Sequence, residues 1–303
     1  MKVERAHFPV TMMARVLKVS TSGFYSWLKR ESDQDQYQDI KTRVEEIWLD
    51  SDKVFGQRTI HIEICKEEGF ENTTLYRVRK CMQELGIYGI QPRSSKRTTI
   101  PSADALTRPD LLKRDFTAAV PTTKLVGDIT YLKTGEGWLY LCVVIDLCSR
   151  MVVGWSLADH MRASLCISAL DMAHQRGYVA ENAIYHSDRG SQFTSKEYSE
   201  FAASIGVRLS VGRTGSCHDN AVAESFFSRL KNERYSRYSY KTRAEAKAAV
   251  VSYIEGFYNR RRPHSTIDGQ IPAEVMGAFF ARADKAFATG TEIDGEPMKS
   301  LAA

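Results

Sequence analysis

Three acidic residues stand where packing alone does not account for a carboxylate. Asp128 interrupts the apolar segment LVGDITYL, residues 125–132, where an ionised group is expensive to bury unless a cation or strong donor meets it. Asp188 closes the β-like run AIYHSD, 183–188, and Arg189-Gly190-Ser191 follows. Its carboxylate therefore emerges at a strand end beside a loop, a frequent place for reactive groups. Glu224 lies in DNAVAESFFSRLKNE, 219–233, with 35 residues between it and Asp188. That interval accommodates a helix, a strand and a further helix, which can bring Glu224 back over a sheet. An all-oxygen donor set suits Mg²⁺ or Mn²⁺. Two such ions can activate an attacking oxygen and stabilise the leaving oxygen of an in-line displacement at phosphorus. The pattern fits cleavage and transfer of phosphodiester bonds.

Other polar residues fall around these three by spacing. His186 precedes Asp188 by two and shares its strand face, where it either contacts phosphate and orients the aspartate or is a structural histidine. Asn220, Ser228 and Lys231 share a helical face with Glu224, and Lys231 is placed to grip a phosphate. Asp146 competes as a ligand, but Asp-Leu-Cys-Ser-Arg fits a turn paired with Arg150. Asp219 suits the N-cap of the Glu224 helix, and Glu233 lies more than two turns beyond Glu224. Towards the end of the chain, a helix through Ala246, Val250, Tyr253, Ile254 and Tyr258 leads into Arg260, Arg261 and Arg262. These arginines suit neutralisation of a DNA backbone, with pairing to core carboxylates as the equal alternative.

The elements that must position these residues follow from periodicity. Residues 1–31 contain two short helices around a Ser/Thr/Gly turn, a helix-turn-helix pattern. A second helical unit spans 35–90, ending in a stretch with a Thr73 or Thr74 cap, apolar Leu75, Val78, Met82 and Leu85, and a stop at Gly86. Its Arg77, Arg79 and Lys80, with Tyr76, lie off the apolar stripe and form either a DNA-reading face or a solvated one. Residues 91–120 lose periodicity, gain prolines and carry Arg93, Lys96 and Arg97, which reads as a basic linker. From 121 to 282 the order is β-β-β-α-β-α-β-α: strands 125–132, 138–146 and 151–158 as an antiparallel meander, then 183–188 and 207–211 between helices. That is an α/β, ribonuclease-H-like order with a mixed five-stranded sheet and flanking helices. Residues 283–303 read as a disordered tail.

Composition sets limits on function. The chain has 303 residues and a net charge of +5, so any preference for polyanions comes from where the cations lie. The longest apolar run, Trp138 to Ile145, is far short of the ~20 residues a bilayer span needs, and no secretory signal opens the chain. The expected location is the cytosol. Six cysteines without a CxxC pair point to reduced, core-filling thiols rather than zinc ligands or disulfides.

The chain resembles the downstream-frame product of IS3-family insertion-sequence transposases, which carries a retroviral-integrase-like catalytic core. The resemblance rests on VLKVSTSGFYSW (16–27), FGQRTI (55–60), DITY (128–131), GWLYLCVVIDLCSRMVVGWS (137–156), HSDRGSQF (186–193), DNAVAESFFSRLKNE (219–233) and YNRRRPHSTIDGQIPAEV (258–275). It departs where Leu125 replaces an expected tryptophan and Phe193 a frequent tyrosine. The resemblance implies that Asp128, Asp188 and Glu224 are the catalytic acidic triad, that two Mg²⁺ or Mn²⁺ ions serve it, and that double-stranded DNA is nicked by water and then attacked by the freed 3′-hydroxyl. It further implies an oligomer assembled on transposon ends and target, with an upstream-frame partner or fusion. A ribonuclease-H-like nuclease that cuts without joining, and a non-enzymatic DNA-binding regulator, are the competing readings.

Overall fold

The computed structural model describes residues 1–91, 108–212 and 220–289, with backbone alone at 29–36 and 286–289. The chain divides into two compact units, 1–90 and 91–303.

The first unit is helical: α1 (Val10–Val16), α2 (Thr21–Asp50), α3 (Gln57–Ile64) and α4 (Leu75–Leu85). Its core joins Ile40, Val44 and Ile47 of α2 to Ile60 and Ile64 of α3 and Val78, Cys81 and Met82 of α4. Thr74 caps α4 by accepting from the Arg77 amide at 3.3 Å, and Gly86 ends it in the left-handed region at φ 67°, as the sequence predicts. The boundary expected between residues 31 and 35 lies instead within α2, one helix of 30 residues. The stretch ESDQDQYQDI contains neither glycine nor proline to stop it.

The second unit is built on a five-stranded sheet in the order β3-β2-β1-β4-β5. β1 (Lys124–Thr134), β2 (Gly137–Asp146) and β3 (Val152–Ala158) form the antiparallel meander, and β4 (Ile184–Ser187) and β5 (Arg208–Val211) add in parallel. Side-chain alternation divides the core into two layers. On one face Leu125, Cys142, Val144, Val153 and Tyr185 pack with α5 (Ala163–Gln175), the single turn α6 (Ser191–Thr194) and α7 (Lys196–Ser204). On the other, Val126, Leu139, Leu141, Val143 and Ile145 meet α8 (Ala221–Arg229) and α9 (Arg243–Val251). Both of these helices widen into π turns, Leu230–Arg234 and Ser252–Tyr258. α10 (Pro272–Thr289) runs seven residues into the segment expected to be a tail; residues 290–303 lie outside the described residues.

Part of the expected linker belongs to this core. Leu112 is buried among the sheet side chains, the Leu111 amide donates to Ser210 Oγ at 2.9 Å, and Arg108 donates to the Phe193 carbonyl at 2.6 Å. Residues 92–107, with Arg93, Lys96 and Arg97, lie outside the described residues. Among the described residues no helix is long and apolar enough to cross a membrane.

One property of the sheet positions everything that follows. β1 pairs with β4 only from Lys124 to Val126, while its pairing with β2 continues to Thr134. From Gly127 onward β1 therefore presents an edge without a β4 partner.

Candidate active site

Asp128 sits where that edge opens, opposite Val143 and on the α8 face of the sheet. Its Oδ1 accepts from the amide of the next residue, Ile129, at 2.7 Å. At the preceding position only glycine fits, because a Cβ on Gly127 would overlap the Tyr185 hydroxyl. Asp188 follows the last residue of β4, and its Oδ1 accepts from the Gly190 amide at 2.9 Å. Burial raises the pKa of Asp188, opposed by that amide. Asp128 is pushed up to about 8, first by burial and then by the charge of Asp188; Glu224 adds to the repulsion, and the Ile129 amide and Lys231 oppose it. The three carboxylates thus share one electrostatic field.

Glu224 is exposed in the first turn of α8. The N-cap position is Asn220, whereas Asp219, expected there, lies outside the described residues. Asn220 does not cap through its side chain; its Nδ2 crosses to the Gly127 carbonyl at 3.1 Å. The start of the Glu224 helix is thereby tied to the residue before Asp128. Lys231 lies in the π turn that continues α8 and places its Nζ 5.3 Å from the Tyr131 ring centroid. Burial lowers its pKa while Asp128 opposes the shift. Among the described residues no three His, Cys, Asp or Glu side chains form a ready-made ion cage. The chemistry of the donor set nonetheless fits a hard divalent cation: a largely buried carboxylate with one local hydrogen bond is repelled by two others, and the cation near it is a half-buried lysine.

Several expected roles change. His186 is 1% exposed, its Nδ1 lies 2.8 Å from Ser210 Oγ, and it meets the Phe116 ring edge-on. It is a structural residue beneath the site, with no face open to phosphate. Asp146 is fully buried and accepts from the Ser149 amide and hydroxyl, both at 2.6 Å, and from the Thr122 amide at 2.8 Å. Arg150, the partner expected for it, donates to the Phe116 carbonyl at 3.1 Å instead.

The largest correction concerns the arginine run. Arg262 is turned inward and binds Glu233 through Nε and Nη2, the latter at 2.6 Å, and Tyr253 donates to the same carboxylate at 2.7 Å. A guanidinium so engaged is not available to DNA. Nearby, Arg229 Nη1 lies 2.7 Å from His264 Nε2, and His264 Nδ1 lies 2.8 Å from Thr266 Oγ1. Burial and the arginines 229, 262 and 150 press the His264 pKa down to about 3, so the ring is neutral and accepts from Arg229. Arg229 and Glu233 both lie on the continuation of the Glu224 helix, and YNRRRPH therefore clamps that helix. Pairing with a core carboxylate was the equal alternative in the sequence, without a named partner; Phe226, Leu230 and Glu233, buried at helical spacing, place that acid on an apolar stripe. Arg260 and Arg261 are exposed.

In the first unit, Arg79 is exposed and Arg77 half-buried. Lys80 is 3.9 Å from Glu84 and lies over the Tyr37 ring at 5.0 Å, so part of its charge is already engaged. Cys81, Cys142 and Cys166 are buried free thiols and Cys65 and Cys148 half-buried ones; Cys217 lies outside the described residues.

With this geometry in place, comparison with known proteins adds independent findings. Models of the integrase core domain match residues 118–217 and 205–272, and an HTH-like domain model matches 35–95. The HTH-like match falls on the second helical unit rather than on the hairpin in residues 1–31. Transposase InsF of insertion sequence IS3A from Escherichia coli K12 is 36% identical over 277 residues, covering 89% of this chain and 94% of that protein. A 31 kDa protein of insertion element IS600 from Shigella sonnei is 35% identical, covering 86% and 96%. Among solved structures, the magnesium-bound catalytic core domain of HTLV-2 integrase shares 20% identity at a TM-score of 0.40, covering 52% of this chain and 97% of that one.

Proposed function

The chain belongs to the IS3 family of insertion-sequence transposases, and from that premise we propose that Asp128, Asp188 and Glu224 are its catalytic residues, acting on the phosphodiester bonds of transposon-end and target DNA. The observation that carries this reading is the stressed carboxylate of Asp128 at the open edge of β1, raised to about 8 by burial and by two neighbouring acids.

Asp128, Asp188 and Glu224 would hold Mg²⁺ or Mn²⁺, which supplies activation of the attacking oxygen and charge stabilisation at the leaving oxygen. Asp128 must shed a proton to serve as a ligand, so ion uptake is coupled to proton release. A DNA backbone would lie along the β1 edge that has no β4 partner, beside both aspartates. Lys231, close enough to feel Asp128, neutralises a phosphate oxygen there. Asn220 fixes Glu224 relative to Asp128, and the Glu233–Arg262 and Arg229–His264 pairs hold the rest of the helix. Positioning of this kind lowers the barrier by removing the freedom of the reacting groups in advance. Arg77, Arg79, Lys80, Arg260 and Arg261 are proposed as outer contacts to the phosphate backbone. Two ends must meet one target, so the working form is an oligomer on DNA, with an upstream-frame partner or fusion supplying further end recognition.

The test is a strand-transfer assay with oligonucleotides bearing the repeats that flank the gene and a supercoiled target, with Mg²⁺, Mn²⁺ or chelator. Joined products with either ion and none with chelator support the proposal. Cut but unjoined DNA indicates a nuclease, and DNA binding without either product indicates a regulator.

A further inference from the structure

The β1–β2 hairpin carries a surface that the reaction described so far does not use. Beyond Leu132 the two strands leave the core, and Trp138 pairs with Lys133 while Tyr131 pairs with Tyr140. These side chains share one face of the hairpin, the face of Ile129 and opposite to that of Asp128. Tyr131 is 42% and Trp138 47% exposed, and their rings meet at 85° with centroids 5.1 Å apart. Lys231 lies over Tyr131 at 5.3 Å. Trp138 keeps close to half of its surface open to solvent. The hairpin is rigidly supported, because Tyr235 donates to the Lys133 carbonyl at 3.0 Å, Gly135 donates to the Tyr240 carbonyl at 2.9 Å, and Arg243 donates to the Trp138 carbonyl at 3.1 Å.

A single exposed aromatic ring is ordinary on a protein surface, and what sets Trp138 apart is its company. This one is buttressed by a tyrosine and accompanied by two lysines, Lys133 exposed and Lys231 half-buried. Lys231, in the π turn that continues the Glu224 helix, ties this patch to the element that carries Glu224. Cations beside open aromatic faces match a nucleic acid whose bases are unpaired: phosphates meet the ammonium groups and a base stacks on the ring. Paired bases within a duplex have their faces covered by their neighbours and expose only edges and phosphates.

Resting on the reading of Asp128 as catalytic, we propose that the hairpin is a stacking platform for unpaired DNA flanking the scissile phosphodiester, about two or three nucleotides from it, with Trp138 as the stacking face, Tyr131 as its support and Lys133 and Lys231 as phosphate contacts. DNA is thereby held in a locally opened form at the site.

The test compares the full chain binding a blunt end-duplex with the same duplex carrying a short single-stranded tail labelled with 2-aminopurine, in chelator so that no chemistry occurs. Wild type should prefer the tailed DNA and quench the label. Trp138→Ala should weaken tailed-DNA binding about tenfold and abolish the quench while leaving blunt-duplex affinity within about twofold. Trp138→Phe should restore most of the preference, which separates stacking from misfolding. Equal affinity of wild type and Trp138→Ala for the tailed DNA, or equal loss on both DNAs without rescue by phenylalanine, overturns the proposal. Glu224→Gln should keep the tail preference in full. Joining activity in that variant in a separate reaction with Mn²⁺ would refute the catalytic assignment without touching the stacking result.

Discussion

Replacing Asp128 with asparagine should make the ion-free protein more stable at pH 8, although it should end activity. The folded-state pKa of Asp128 is raised, to about 8, chiefly by burial and Asp188, against an ordinary value near 4. Between those values the unfolded chain releases a proton that the folded chain retains. The contribution of Asp128 to stability is therefore complete below about pH 4 and lost as pH rises to about 8. At ~1.4 kcal/mol per pH unit the ceiling is roughly 6 kcal/mol. The carboxylate is partly open to water and its neighbours can adjust, so a gain of about 2–4 kcal/mol for Asp128→Asn at pH 8 is expected. For a unit of this size that is roughly 5–15 °C in melting temperature. The assay is thermal unfolding in chelator across pH 4.5 to 8.5, with both proteins at each pH. The difference should be small at the acid end and grow steadily upward. Added Mn²⁺ should raise the wild-type melting temperature, by about 2.7 kcal/mol at a hundredfold excess over its dissociation constant, and leave the variant largely unmoved. Coincident melting curves at pH 8 in chelator would show that the carboxylate is under no stress and would remove the physical argument for a cation there.

Arg262→Ala should cost about 3–5 kcal/mol, because it strands the buried Glu233 carboxylate, yet leave the salt dependence of DNA binding unchanged; Arg260→Ala should cost little stability and lower the salt slope by about 1. Loss of a salt-slope increment in Arg262→Ala would contradict the clamp. His264, held near 3 in the folded state against an ordinary 6.5, contributes stability above about pH 6.5 that is lost as pH falls toward 3, some 2 kcal/mol near pH 5; His264→Gln should flatten that limb of a pH–stability profile. Asn220→Ala should lower turnover at saturating DNA with DNA affinity little changed, since the tie from α8 to Gly127 is lost, at a stability cost of about 1 kcal/mol. Gly127→Ala, forced against Tyr185, should destabilise by about 2–3 kcal/mol in chemical unfolding.

The meander, both parallel strands and the helices between them were legible because each has a strong period and a clear boundary. The Thr74 cap and the Gly86 stop of α4 were legible for the same local reason. What depended on partners distant in sequence was not. ESDQDQYQDI has no apolar period to announce that α2 runs unbroken to Asp50, its lack of glycine and proline being the one hint, and nothing near Leu112 shows that it fills the second unit's core. Arg262 illustrates the limit: beside two exposed arginines it reads as well as a DNA contact as a core partner, and the choice depends on Glu233, 29 residues earlier in the π turn that continues α8. The opening of the β1 edge at Gly127 is likewise a matter of relative strand length, since β4 ends at Ser187 while β1 continues past Asp128.

Glu224 decides whether the three acids act as one catalytic set. In a strand-transfer reaction with Mn²⁺, Glu224→Gln should bind transposon-end DNA as tightly as wild type and yield neither nicked nor joined product. Joined product from the variant at a wild-type rate would contradict the assignment of Asp128, Asp188 and Glu224 as one catalytic set.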